Sequence, residues 1–301
     1  MILAAVQSQE LADAVGEVEG VELLLWPQGD ELPDRADEIE FLVPDYIRAR
    51  TTARLLGELP RLRAVQLQTA GYDAVMELVP PGPALLSARG VHDDATAELA
   101  LGLTIASLRG IDVAVRESGH WRQDTTRRSL ADSHVAILGY GSIGRSVAAR
   151  MLACQARVTG VATRARDDDL LGRVVTGDEV DWAAQDVVVV VLPLSDATRH
   201  VVDAGFLARL HDGALVVNVG RGPLLDTDAV LVEAGRLRFA LDVTEPEPLP
   251  DDHPLWTAPG VLVTPHIAGG TTAMLPRMAG LVRDQLERLR DGRPLRNVVP
   301  R

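Results

Sequence analysis

The stretch His134-Val-Ala-Ile-Leu-Gly-Tyr-Gly-Ser-Ile-Gly-Arg145 decides how this chain folds. It opens on an apolar run that reads as a buried strand, passes three glycines at the G-x-G-x-x-G spacing, and enters Arg145–Leu152, which reads as a helix. The spacing alone is common; the strand before it and the helix after it give it meaning. Gly139 permits a tight turn, Gly141 lets a pyrophosphate approach the backbone, and Gly144 allows helix and strand to touch. The helix start offers unpaired amides and the positive end of its dipole. Gly139, Tyr140, Gly141, Ser142, Ile143 and Gly144 are therefore expected against the phosphates of a dinucleotide.

Outward from this loop the chain alternates between strand and helix patterns. Downstream, Val158–Val161, Val187–Leu192, Leu215–Val219, Phe239–Asp242 and Val261–Thr264 read as strands, and the unbroken apolar run Val187–Leu192 suits a central parallel strand. Upstream, Ile2–Val6, Val21–Trp26, Phe41–Val43, Ala64–Leu67 and Leu85–Leu86 form an earlier series, with amphipathic stretches such as Thr51–Leu59 between them. A periodic segment from Asp94 to Glu117, with Leu99, Leu103, Ala106 and Ile111 on one face and Asp94 as cap, reads as one long helix joining two domains. Met278, Leu281, Val282, Gln285, Leu286 and Leu289 mark a closing amphipathic helix. The expected fold is α/β, with two doubly wound parallel-sheet domains: residues 1–95 plus 271–301, and residues 96–270.

Composition narrows the chemistry. A chain of 301 residues exceeds the usual limit of one core. The longest strand-like run, Val187–Leu192, is far short of the roughly 18 residues that span a bilayer, and the N-terminus lacks a basic region, so neither membrane span nor signal peptide is expected. Cys154 is the only cysteine, which excludes an internal disulfide and fits a reducing cytoplasm. A net charge of −13 argues against a nucleic-acid binder. All 30 basic residues are arginine. Schiff-base, pyridoxal-phosphate and P-loop lysines are thereby excluded within these residues. His92-Asp-Asp94 and Asp251-Asp-His253 lack a matched fourth ligand, and no metal is expected.

The second strand of the glycine-loop unit addresses the cofactor's ribose. An NAD site would place a carboxylate about 20 residues past the loop, on the 2′-hydroxyl. Here Ala162 stands there, followed by Thr163, Arg164 and Arg166, a hydroxyl and two guanidiniums suited to a 2′-phosphate. NADP(H) is expected in preference, with NAD(H) possible; the competing reading is a solvated loop whose arginines are balanced by Asp167-Asp-Asp169.

Hydride transfer to a carbonyl needs a cation to hold and polarise the substrate and an acid to protonate the alkoxide. Three candidates follow strand ends, where open α/β sheets place ligands. They are Arg221 in Asn218-Val-Gly-Arg-Gly222, Glu247 in Asp242-Val-Thr-Glu-Pro-Glu-Pro248, and His266 in Thr264-Pro-His-Ile-Ala-Gly-Gly270. Taken in order after the glycine loop, these segments resemble the D-isomer-specific 2-hydroxyacid dehydrogenases, densest from Val135 to Gly270 and weaker before Gln66.

The resemblance implies a Rossmann-type cofactor domain inserted into a flavodoxin-like substrate domain. It implies that Arg221 pairs with the substrate carboxylate and keto oxygen, that His266 is the acid in reduction and the base in oxidation, and that Glu247 raises the histidine's pKa. Glu245 competes for that carboxylate role, with the Glu-Pro-Leu spacing favouring Glu247. The resemblance also places Leu192, Pro193, Thr198, Val219, Gly220, Arg221, Asp242, His266 and Gly269 on the cofactor. Thr69, Ala70 and Gly71, within Gln68-Thr-Ala-Gly-Tyr-Asp73, would offer backbone to the substrate, while Pro44-Asp-Tyr46 is either a cleft residue set or a surface turn.

The activity so implied joins a small 2-oxo acid, glyoxylate or hydroxypyruvate in type, to its D-2-hydroxy acid. A homodimer is implied too, with the long helix and His120-Trp121 at the interface. Two rivals remain in view. The same resemblance covers non-enzymatic dinucleotide sensors and corepressors, though Arg221, Glu247 and His266 are all present here. L-2-hydroxyacid dehydrogenases carry the glycine loop near the N-terminus, unlike Gly139 here. Two departures stand out: Arg221 to Asp242 is a few residues short, and Asp94 replaces a common asparagine.

Overall fold

A computed structural model describes residues 1–73, 75–119, 121 and 123–300. The chain divides into two compact units, residues 1–92 with 272–301, and residues 93–271.

The first unit holds strands β1 (Ile2–Val6), β2 (Val21–Leu25), β3 (Ile39–Val43), β4 (Ala64–Gln66) and β5 (Ala84–Leu86), with helices α1 (Gln9–Val15) and α2 (Ala49–Ala53). The sheet order is β2-β1-β3-β4-β5, parallel throughout, the flavodoxin-like order. Successive side chains of a strand face opposite ways. Ile2, Ala4 and Val6 thus pack with Phe41 and Val43 under Leu11 and Val15, while Leu3 and Ala5 pack with Ile39 and Leu42 around Trp26 and Leu56. The C-terminal helix belongs here: its Met278, Val282 and Leu286 complete the first of these layers. The predicted helix Thr51–Leu59 is instead α2 followed by a 3-10 turn at Leu56–Glu58.

The second unit holds α3 (Asp93–Arg109), α4 (Ile111–Arg116), β6 (His134–Leu138), α5 (Ser142–Ala153), β7 (Arg157–Val161), β8 (Arg166–Asp168), β9 (Gly172–Val174), β10 (Val187–Val190), α6 (Ala204–Leu207), β11 (Leu215–Asn218), α7 (Thr227–Glu233), β12 (Arg238–Leu241) and β13 (Val261–Val263). The closing helix of the first unit is α8 (Met274–Arg290). The order β13-β12-β11-β10-β6-β7 reverses direction between β6 and β10, the switch point at which open sheets bind ligands. The four valines of β10 are fully buried, as a central strand requires.

Three features depart from the sequence reading. The segment after β7, where no strand was expected, is an antiparallel hairpin of β8 and β9, followed by an isolated parallel bridge from Val175 back to Val161 at the end of β7. The long helix 94–117 is broken at Gly110, whose φ of 65° no helix accommodates, and Asp94 lies inside its first turn rather than capping it. Its buried face is also different: Thr96, Ala100, Leu103, Thr104 and Ser107 are buried while Ile111 is 47% exposed. Small residues there let α3 approach α5. The stretch before Asp242 carries the seven-residue α7, which stops at Glu233.

Beyond α3, Val115 is 67% and Trp121 97% exposed, while His120 lies outside the described residues. Among the described residues, no helix is long and apolar enough to cross a membrane.

Candidate active site

The glycine loop leaves the end of β6 and turns into α5. Gly139 has φ 110°, and a Cβ there would sit 2.6 Å from the Val191 carbonyl; one on Gly144 would overlap the Gly139 carbonyl. Gly141 is different, because a Cβ there would meet nothing within 4 Å. The loop is thus tight on the protein side and open at Gly141, beside the first-turn amides of α5, which have no intrahelical acceptor. That is the shape a pyrophosphate needs. Ser142 Oγ hydrogen-bonds Asp93.

Tyr140 behaves unlike its neighbours. Its side chain is buried and its hydroxyl donates to Asp168 (2.9 Å), while its amide donates to the Val161 carbonyl (2.9 Å) and its carbonyl accepts from Arg166 Nη2 (2.7 Å). Burial, and then Asp168, push the phenol up to about 12. Expected at the cofactor, Tyr140 has every polar atom engaged within the protein. Gly160 makes room for it, since a Cβ there would lie 2.6 Å from its ring. Arg166, expected at the 2′-phosphate, is likewise committed, bonded to that carbonyl and lying 5.9 Å from the ring centroid. Thr163 and Arg164 are exposed past the end of β7. Asp168 and Asp169, which the sequence reading set against these arginines, pair instead with Arg145 at 2.9 and 2.8 Å.

Each of the next strand ends carries one of the three candidates. After β11, buried Asn218 accepts from the Gly220 amide (3.1 Å) and donates to the Arg221 carbonyl (2.9 Å), shaping the turn that presents Arg221. Arg221 Nη1 donates to the Gly220 carbonyl (2.8 Å). We expect Asn218→Ala to leave two backbone groups without these partners and to cost about 1–3 kcal/mol. Urea unfolding measures this, and a loss under about 0.5 kcal/mol would contradict the turn's dependence on Asn218.

After β12, Asp242 is only 1% exposed, and its carboxylate accepts from the Thr264 hydroxyl (2.7 Å) and the Ile267 and Ala268 amides (2.9 and 3.0 Å). Expected near the nicotinamide, it grips the loop after β13. His266 in that loop has φ 52°, and its amide donates to the carbonyls of Asp242 (2.8 Å) and Thr264 (3.0 Å). These bonds hold a left-handed backbone that the residue would not adopt unaided.

His266 Nδ1 meets Glu247 Oε1 at 2.5 Å. The hydrogen bond to Glu247 raises the histidine's pKa against desolvation and Arg221, and the same bond lowers that of Glu247. Glu245 is elsewhere, between Arg199 and His200. Beneath the glycine loop, the Thr198 hydroxyl donates to the Pro193 carbonyl (2.7 Å), closing the turn past Leu192. Val219 is buried, Gly220 lies where a Cβ would be 3.2 Å from the Leu192 carbonyl, and Gly269 is half-buried.

Within the first unit, the amides of Thr69, Ala70 and Gly71 have no protein acceptor among the described residues. Their loop is held by His92 Nε2 on the Gln68 carbonyl (2.7 Å) and by Gln68 Nε2 on the Pro44 carbonyl (2.8 Å). Tyr46 stacks edge-on against His92, with centroids 6.2 Å apart. The sequence reading passed over Asn218 and His92 as supports. Asn218 was visible in its motif, whereas nothing in the sequence linked His92 to Gln68. Among the described residues no group of three acidic, histidine or cysteine side chains gathers to hold a metal.

A doubly wound sheet with a glycine loop at its switch point has the architecture of a dinucleotide-binding domain. A sequence model described as the NAD binding domain of D-isomer specific 2-hydroxyacid dehydrogenases matches residues 101–268. The glyoxylate reductase of Aeropyrum pernix is 32% identical over 284 residues, covering 88% of this chain and 83% of that protein. The glyoxylate/hydroxypyruvate reductase A of Arabidopsis thaliana is 33% identical over 261 residues, covering 82% and 81% respectively. Among solved structures, the NADPH-dependent glyoxylate/hydroxypyruvate reductase of Sinorhizobium meliloti, in complex with NADP and sulfate, matches with a TM-score of 0.83 at 25% identity, covering 99% of this chain and 98% of that one. The chain belongs to the D-isomer specific 2-hydroxyacid dehydrogenase family.

Proposed function

We propose that this protein reduces a small 2-oxo acid of the glyoxylate or hydroxypyruvate class to its D-2-hydroxy acid, with NADPH preferred over NADH. The observation that carries the reading is the 2.5 Å contact between His266 and Glu247, with Arg221 acting on both. A carboxylate on Nδ1 favours the imidazolium and leaves Nε2 to donate a proton. His266 then protonates the forming alkoxide in reduction and removes that proton in oxidation. Arg221 pairs with the substrate carboxylate and polarises the keto oxygen. The bound cofactor supplies the hydride.

The open side of Gly141 and the α5 amides fit its pyrophosphate. Leu192, Pro193, Thr198, Val219, Gly220 and Gly269 line the rest. The preference for NADPH rests on Ala162, which leaves no carboxylate at the end of β7, and on exposed Thr163 and Arg164. With Arg166 committed to Tyr140, Arg164 is the 2′-phosphate anchor. The Sinorhizobium meliloti protein, which is NADPH-dependent by name, supports this direction. Arg164→Ala is expected to raise KM for NADPH about tenfold or more while leaving that for NADH near its starting value. An unchanged NADPH-to-NADH preference would refute the assignment.

A panel of 2-oxo acids assayed with both cofactors tests the reaction itself. Tight binding of dinucleotide with no turnover on any of them would favour the sensor or corepressor reading. We place the protein in the cytoplasm as a homodimer. The lone cysteine supports the first, and exposed Ile111, Val115 and Trp121 support the second.

A further inference from the structure

Glu245 stands two residues before Glu247 and takes no part in the chemistry above, yet it is heavily bound. Its Oε1 accepts from Arg199 Nη2 (2.6 Å), its Oε2 from His200 Nε2 (2.7 Å), and its carbonyl from the Thr227 hydroxyl (2.7 Å). His200 has φ 51°, and its own amide donates to the Pro223 carbonyl (2.8 Å), two residues past Arg221. One carboxylate therefore ties the loop that carries Glu247 to residues 199 and 200, and the backbone of His200 ties these in turn to the loop that carries Arg221. Pro246, Glu247 and Pro248 are exposed and lie outside any strand or helix, so regular structure does not fix the carboxylate that meets His266.

We propose that Glu245 is a positioning residue, acting through Arg199 and His200 to hold Glu247 at hydrogen-bond distance from His266. The inference rests on the proposed reading only in taking Glu247 and His266 as the working pair. Its energetic logic is that of a preorganised site. A carboxylate free to swing out of reach would forfeit its hold on the imidazolium, and small misplacements of reacting groups are costly. The charges acting on His266 are those of Glu247, Arg221 and Asp242, while those facing Glu245 are Arg199 and His200. Glu245 thus influences His266 through placement and not by direct charge.

The test is the titration of the His266 imidazole in the free protein, read by NMR and assigned by its loss in the His266→Ala spectrum. Glu245→Ala is expected to lower that pKa by about one unit, toward the ordinary histidine value. It should also lower kcat for 2-oxo acid reduction about tenfold, with KM for NADPH changed less than about twofold. Glu245→Gln, which loses the charge but keeps an acceptor for Arg199 or His200, should hold the pKa within about 0.3 of the parent value. An unshifted titration in folded Glu245→Ala overturns the proposal. So does an equal drop in Glu245→Gln, because that would mark a charge effect. If Glu245→Ala does not fold, His200→Asn carries the same test, since asparagine tolerates positive φ but cannot reach the carboxylate in the same way. A protein inert on every 2-oxo acid would overturn the reaction assigned above, whereas the titration would still decide the role of Glu245.

Discussion

Replacing His266 by alanine is expected to lower kcat for 2-oxo acid reduction by about a thousandfold, while the Kd for NADPH moves by less than about threefold. The size of the effect follows from what the side chain does. In the proposed reading it supplies the proton to the alkoxide, and its charge, maintained by Glu247 at 2.5 Å, adds to that of Arg221 where negative charge develops. The contrast with cofactor affinity follows from position, because the phosphate loop is built from a different strand end, that of β6. Stopped-flow reduction and fluorescence titration of NADPH separate the two quantities, and equal turnover in the variant would remove His266 from the mechanism.

The pH dependence has a definite sign. The histidine's pKa is raised, so with His266 as the proposed acid, reductive turnover is expected to be full below it and lost as pH rises through it, with oxidation running the opposite way. The Glu247 pKa is lowered, so the pair survives acidification until pH falls through that depressed value.

Gly222→Ala is the second large expected effect. Gly222 is buried, and an added Cβ would overlap the Thr244 carbonyl, so the turn after β11 and the loop after β12 touch backbone to backbone. Neither side can yield easily. The Arg221 turn is held by Asn218, and the opposing loop is held by Thr244 Oγ1 on the Pro246 carbonyl (2.9 Å) and by the bonds of Glu245. We expect a destabilisation of about 3 kcal/mol and, in the folded fraction, a loss of at least about a hundredfold in kcat/KM, because Arg221 and Glu247 sit on the two loops forced apart. Denaturant unfolding and steady-state kinetics measure both. A variant within about 0.5 kcal/mol of the parent would show that the loops can separate freely.

The catalytic candidates were legible because their signal is local: a strand pattern, then a short polar motif, three times in order. The Glu-Pro-Leu spacing favoured Glu247 over Glu245, although both precede a proline in the same loop, and in three dimensions their partners differ. The face of α3 was misread for a related reason. Its buried residues include Thr96, Thr104 and Ser107, which an apolar periodicity does not register, because the helix needs close approach there more than it needs bulk. The burial of Tyr140 was not legible because the glycine-loop pattern specifies where backbone must be open and says nothing about side chains between the glycines. The compensating signal was Gly160, one strand away, and it has meaning only once β7 is laid beside β6.

The hairpin of β8 and β9 carries a consequence for how such a protein can change. It is fastened from inside, by Asp168 on Tyr140 and Arg145 and by Arg166 on the glycine loop, so Thr163 and Arg164 just before it bear none of those bonds. The choice between two coenzymes would then be written on residues that the fold does not need. Selection could rewrite it in either direction by substituting at those two exposed positions, without passing through an unfolded ancestor.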